Sequence, residues 1–394
     1  MYPRAERVLL YAGFIFTGIV TTILGPILPL LASRWLLSDA KAGSLFTAQF
    51  LGSLLGGLSI SVLLPRRGFR FVLITGFLVM AGGVGFLGLS QWAAGWLATF
   101  GYGIGLGLVI PATNLYISEA SPERRAAALN ILNLSWGIGA VTCPILISLL
   151  ESRVGLPTLL ICLGAILAVC AAALSRQEFA ASPEGLATSE RFAASPRRTE
   201  LGAAAWALAG LFFLYVGTEN ALSGWVSTHA KRMGPPVQTL WVITPSVFWG
   251  ALLMGRALAP VALRYLAEAR LAAAALVIAS CGTLALLLST TVLGVRLGAG
   301  VAGLGLAPVY PIFIAWLGHQ FGAEAPRPGG VMFALASCGG ATLPWLVGAV
   351  STSFASLTAG LTVPLVSCLL MLVSLPAVGS AGATRAAPTG AALR

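Results

Sequence analysis

Charge is what this chain has least of. Only 9% of its 394 residues are Asp, Glu, Lys or Arg, against 58% that are hydrophobic. A water-soluble surface of that size needs far more charge. Uncharged stretches such as Phe71 to Gly101 have no explanation in water. Histidine is nearly missing, and the six cysteines (Cys143, Cys162, Cys170, Cys281, Cys338, Cys368) sit in apolar runs without a CxxC pair. That leaves no metal-ligand spacing. No nucleophile constellation or phosphate-binding loop is visible, and the short GxG runs lack the strand a dinucleotide site requires. A soluble enzyme, a metalloprotein and a nucleotide-binding protein are thereby disfavoured. A polytopic membrane protein that is no enzyme and holds no cofactor is expected, with the lipid bilayer as its first partner.

What is present is a series of long apolar runs. A hydrocarbon core of about 30 Å needs roughly 20 helical residues, and such runs fall at 8–31, 41–64, 71–90, 92–117, 126–150, 155–175, 206–229, 237–258, 271–289, 292–317, 328–350 and 354–377. None alternates with a period of two, so they read as helices and not as barrel strands. The first run is too long for the apolar part of a secretory signal and is expected to be retained. Twelve spans put both termini on one side. That side carries 17 of the 23 Lys and Arg, the other side 6. The positive-inside rule then places both termini in the cytoplasm, with a cell (inner or plasma) membrane as location. The same distribution accounts for the net charge of +11 without a nucleic-acid partner.

One polar segment, 176–200, reads as a cytoplasmic linker. It divides an N-terminal six-helix bundle (1–175) from a C-terminal one (201–378), which is followed by a cytoplasmic tail (379–394). The halves echo each other. "FLGSLLGG" (Phe50 to Gly57) is answered by "FWGALLMG" (Phe248 to Gly255). "GLGL" at Gly105 returns at Gly303, and Gly139 with Pro144 returns as Gly339 with Pro344. Each match joins one span to the sixth span after it, which indicates a duplicated unit. An even number of spans per unit keeps the two units parallel, as in the major facilitator superfamily. The expected fold is therefore all-α, with twelve transmembrane helices in two parallel-repeat six-helix bundles around a central cavity, in a monomer.

Local motifs agree. The loop "SVLLPRRGFRFVL" (Ser61 to Leu73) resembles the superfamily pattern G-x-L-A-D-R-x-G-R-K, with Arg66, Gly68 and Arg70 matching as a gating loop. Ser61, Pro65 and Phe69 depart from it. The stretch Thr113 to Pro144 resembles the fucose–proton symporter branch in the order of Asn114, Tyr116, Pro122, Glu123, Leu129, Asn130, Gly139 and Pro144, with Asn133 where that branch has glutamine. "FLYVGTE" (Phe213 to Glu219) resembles the same branch. "NALSGWV" (Asn220 to Val226) is closer to the sodium-dependent glucose transporter-like members. The resemblance implies transport of a sugar coupled to a proton or sodium ion. Where fucose-type members carry acids in spans one and four, Gly25 and Ile110 stand here.

Glu219 therefore draws the attention. A carboxylate facing lipid at mid-membrane costs about 2.5 kcal/mol or more. Tyr215, Glu219 and Ser223 recur every four residues and share one helix face, which the resemblance turns toward the cavity. A desolvated carboxylate can exchange a proton near neutral pH or hold a sodium ion, and it can also serve only to bridge helices. Amides supply donors and acceptors together, which suits polyhydroxylated solutes. Asn114, Asn130, Asn133, Asn220 and Gln49 are accordingly candidate substrate contacts, with Trp225 and Tyr310 as stacking surfaces. Trp136 and Trp249 could stack as well. Pro26, Pro29, Pro111, Pro308 and Pro311 could bend spans one, four and ten. No Lys or Arg falls near the middle of a cavity-lining span, since Arg256 and Arg296 lie toward span ends, and this argues against an anionic cargo. The expected function is secondary active transport of a small neutral polar solute, a sugar in the first instance, by alternating access. Efflux of a drug or lipid is the competing reading.

Overall fold

The computed structural model describes residues 4–177, 179, 202–234, 241–321 and 326–383. Most of the expected linker and most of the C-terminal tail lie outside the described residues. Among those described, every regular element is a helix. Helices α1 (Arg4–Thr22) and α2 (Leu24–Trp35) form the first span, with a bend of 44° between them. Helix α3 (Asp39–Leu89) is 51 residues long and crosses twice, because the chain reverses at Gly68. Gly68 has φ 73°, a left-handed conformation that glycine adopts without a side-chain clash. Helices α4 (Trp92–Ala120), α5 (Arg125–Val154) and α6 (Leu156–Ser175) complete the first bundle.

The second bundle comprises α7 (Ala203–Met233), α8 (Thr244–Ala262), α9 (Glu268–Leu288), the broken pair α10 (Val292–Leu306) and α11 (Val309–Phe321), α12 (Pro326–Phe354), and the short α13 (Leu357–Gly360) leading into α14 (Thr362–Ala383). Among the described residues, eight helices are long and apolar enough to span a membrane, or nine with the bent first pair. The second crossing of α3, together with α7 and α8, brings the number to twelve. Spans one and ten break near the expected prolines, whereas α4 runs unbroken through Pro111. Leu58, Leu97, Val169, Leu288, Leu293 and Val373 stand exposed around the periphery. In a chain with so little charge this is the surface that lipid covers.

Packing corrects the register of the internal repeat. Gly56 lies against the Ile104 carbonyl and Gly107, and Gly255 lies in the same way against the Leu304 carbonyl and Ala307. Gly103 packs on the Gln49 carbonyl, and Gly303 on the Phe248 carbonyl. Gly105 abuts Gly76 and Met80, and Gly305 abuts Ala275 and Ala279. The matched phrases are thus displaced by one residue in spans two and eight, and by two in spans four and ten. Gly250, which the phrase match pairs with Gly52, touches nothing. The pairing of Gly139 with Gly339 holds, since these abut the carbonyls of Ile15 and Phe213.

The two bundles meet at one end of the molecule. Call the face that carries Gly68, Ser175 and the start of α7 the linker face. At the opposite face Arg232 binds Asp39 through two hydrogen bonds of 2.6 and 2.9 Å, and Ser351 donates to Asp39 at 2.5 Å. Lys231 donates to the Pro29 carbonyl and to Ser33, and the Ala40 amide donates to Thr352. Deeper in, Thr47 donates to the Ala341 carbonyl and Ser246 to the Val141 carbonyl. Gly25 packs on Ser223, Phe46 on Gly224, and Leu253 on Gly137. Continuing along the same helix faces toward the linker face, Asn133 and Asn130 on α5 and Ala257 and Pro260 on α8 are exposed. The halves have parted there.

Candidate functional site

Glu219 lies near the level where the halves part. It is buried within α7, and its Oε1 accepts from the Tyr215 hydroxyl at 3.1 Å and from Arg256 Nη2 at 3.3 Å. Arg256 Nη2 also reaches the Tyr215 hydroxyl at 3.5 Å. The helical spacing explains the first contact, since Tyr215 stands one turn before Glu219. The second was not foreseen. Helix α8 runs on to Ala262, so Arg256 is well inside it and not at its end. The reading of Arg256 as a span-end residue is corrected: its guanidinium pairs with the buried acid. A lone arginine inside an apolar run was the available signal, because membrane cations of this kind are paired.

The ion pair uses only part of its hydrogen-bonding capacity. Glu219 Oε2, Arg256 Nη1 and the Tyr310 hydroxyl have no hydrogen-bond partner among the described residues. Tyr310 stacks obliquely on Tyr215, with ring centroids 5.3 Å apart, and meets Phe212 edge-on at 5.6 Å. Asn220 turns its amide back to the Val216 carbonyl at 2.8 Å, and Asn114 does the same to Ile110. The carbonyl oxygen of each side chain has no partner among the described residues. Asn130 and Asn133 are exposed and make no side-chain hydrogen bond among the described residues.

Two of the expected contacts serve packing in this conformation. Trp225 is fully buried, donates to the Pro344 carbonyl at 2.8 Å and lies against Gly43 and Gly348. It closes the junction between the halves and presents no face for stacking. Gln49 is also buried, with Nε2 on the Thr21 carbonyl and Oε1 accepting from Tyr102, both at 3.0 Å. Trp136 and Trp249 meet edge-to-face at 5.4 Å across the bundles, one level above the exposed asparagines. Trp136 also donates to Thr21 at 3.4 Å.

Glu219 is not the sole buried carboxylate. Glu6 is wholly enclosed and hydrogen-bonded by Tyr116, which packs edge-on against Phe69 and Phe179. His229 on α7 is buried. In the gating loop, Arg66 is exposed, Gly68 makes the reversal, and Arg70 donates to the Ser175 carbonyl at the end of α6. A cation at a helix C-terminus is favourable. Pro65 supplies no carboxylate for the salt bridge of the superfamily pattern.

Two six-helix bundles joined at one end, with polar groups buried at the junction, define a membrane carrier. A family model described as Major Facilitator Superfamily matches residues 10–302. The chain belongs to that superfamily. None of the curated proteins matches it in sequence. Among solved structures, the E. coli fucose:proton symporter is similar at 16% identity and TM-score 0.63, over 94% of this chain and 98% of that one. A D-xylose-proton symporter gives 15% and 0.71, over 94% and 97%. A bacterial homologue of the human lysosomal transporter Spinster, inward-facing and unoccupied, gives 17% and 0.72, over 96% and 95%.

Proposed function

We propose that this chain is a secondary transporter that moves a small neutral polar solute, a sugar in the first instance, by alternating access. One observation carries the reading. A buried, internally neutralised acid–base pair with open donor and acceptor atoms stands where the two bundles part. Its charges cancel, so the site does not select a charged solute, while its free atoms suit hydroxyl groups. Two of the similar structures are sugar–proton symporters by name, which supports the solute class. With the linker face in the cytoplasm, the conformation is inward-open and sealed outside.

Coupling follows from the same pair. A proton on Glu219 removes its charge and releases Arg256 from the ion pair, so protonation and solute contact act on the same side chains. A sodium ion would have to sit beside the guanidinium. At 4 Å and an effective dielectric of about 20 that repulsion is about 4 kcal/mol and offsets an attraction of similar size to the Glu219 carboxylate, so the pair gives sodium no net pull. The proton is the better supported ion. Reconstituted protein tests both points. Uptake of L-fucose, D-xylose or D-glucose should rise with an inward proton gradient and not with a sodium gradient. The Glu219→Gln variant should lose that response but keep downhill exchange. Equal gradient-driven uptake in Glu219→Gln removes Glu219 from the mechanism. Thermal stabilisation by lipophilic cations and not by sugars would favour drug or lipid efflux instead.

A further inference from the structure

Glu219 Oε2, Arg256 Nη1 and the Tyr310 hydroxyl have no hydrogen-bond partner among the described residues and stand on three different helices of the second bundle, brought to one place by the ion pair and the tyrosine stack. We infer that they form a diol-recognition subsite in which Arg256 determines specificity. One hydroxyl of the solute donates to Glu219 Oε2 while a neighbouring hydroxyl oxygen accepts from Arg256 Nη1. Tyr310 completes the array as donor or acceptor. This rests on the proposed transport of a neutral solute and adds which groups of that solute are read.

The argument is one of geometry and of unused capacity. A guanidinium is planar with a fixed fork of donors, and a carboxylate offers two oxygens in one plane. Joined through Nη2 and Oε1, they leave one donor and one acceptor without a partner among the described residues. A vicinal diol presents the complementary pair. A single hydroxyl satisfies only one of the two, and a carboxylate on the solute would meet Glu219 with like charge. Arg256 Nε is buried without a partner, so the head group is held by its surroundings and not by a full set of hydrogen bonds. Its orientation therefore depends on Glu219 and on whatever enters. The Arg256 side chain is 28% exposed, against 11% for Glu219.

Purified full-length protein in detergent, titrated with L-fucose, D-xylose and D-glucose and followed by intrinsic tryptophan fluorescence, tests the assignment. Trp249 stands on α8 two turns before Arg256 and meets Trp136 edge-to-face. The tightest-binding sugar is then compared with its monodeoxy analogues and with D-gluconate. Arg256→Lys keeps the charge but loses the fork, and should weaken sugar binding about tenfold or more. It should also flatten the discrimination between the sugar and one deoxy analogue. Tyr310→Phe, a substitution that keeps the ring stack and the fold, should cause a smaller loss. Unchanged affinity and discrimination in both variants overturns the subsite but leaves neutral-solute transport standing. Tight binding of D-gluconate with no response to any of the sugars overturns both.

Discussion

At the residue scale the central fact is that Glu219 and Arg256 neutralise each other inside the membrane. Removing one partner of a buried pair leaves the other charge uncompensated, which costs about 3–5 kcal/mol. Replacing both with neutral side chains removes the problem together with the pair. Arg256→Gln and Glu219→Gln are each expected to lower the unfolding temperature in detergent, while the two combined should recover most of the loss. Additive losses in the double variant would mean that the two side chains do not act as a unit. How much of this was legible in the sequence depends on what each residue does. Glu219 stands out because an acid in an apolar run is costly anywhere, and its tie to Tyr215 follows from helical spacing. Arg256 was missed because its partner lies on another helix, and no periodicity within one chain segment reports that. Trp225 and Gln49 were drawn toward the solute by their residue type. Their actual partners, the Pro344 and Thr21 carbonyls, are backbone groups that composition does not reveal.

At the element scale the spans were readable because a bilayer imposes one length on every helix, and a run of apolar residues records it. The register of the repeat was less readable. Glycine and leucine are common enough here that a matched phrase can slip by a residue, and only backbone approach decides. That approach makes a prediction. A side chain at Gly139 would run into the Ile15 carbonyl, and α1 and α5 cannot both stay in place. Gly139→Ala should therefore destabilise the protein, as should Gly339→Ala, whose obstacle is the Phe213 carbonyl. Gly250→Ala has open space around it. It should be neutral or gain up to about 1 kcal/mol from helix propensity. Thermal unfolding of the three variants in one detergent distinguishes them. Were Gly250→Ala as harmful as Gly139→Ala, the phrase match and not the packing would have the correct register.

At the scale of the whole molecule, transport requires that the sealed end open and the parted end close. The seal contains a two-hydrogen-bond contact between Arg232 and Asp39, reinforced by Ser351 and placed at the start of α3. Asp39 lies in the first turn of that helix, where a negative charge is favoured by the helix dipole. The Arg232 side chain is 47% exposed, so solvent screens the pair and its worth is about 1 kcal/mol. That modest figure suits the task. A lock worth about 5.5 kcal/mol would move a 99:1 equilibrium to 1:99 by its loss, and so would hold one conformation almost exclusively. A lock of about 1 kcal/mol shifts the ratio of states by about fivefold, enough to bias the resting state while leaving the other within thermal reach. Spin labels on cysteines introduced at Leu36 and Phe354, both exposed at the sealed face, report the separation of the two halves once the native cysteines are replaced. In the parent the short-distance population should dominate. Asp39→Asn and Arg232→Gln should each enlarge the long-distance population by about fivefold relative to the short one, and the effect should shrink at high salt in the parent as screening weakens the pair. Distance distributions that stay the same in both variants would show that apolar packing along Gly25, Gly43 and Gly224 closes this end without help from charge.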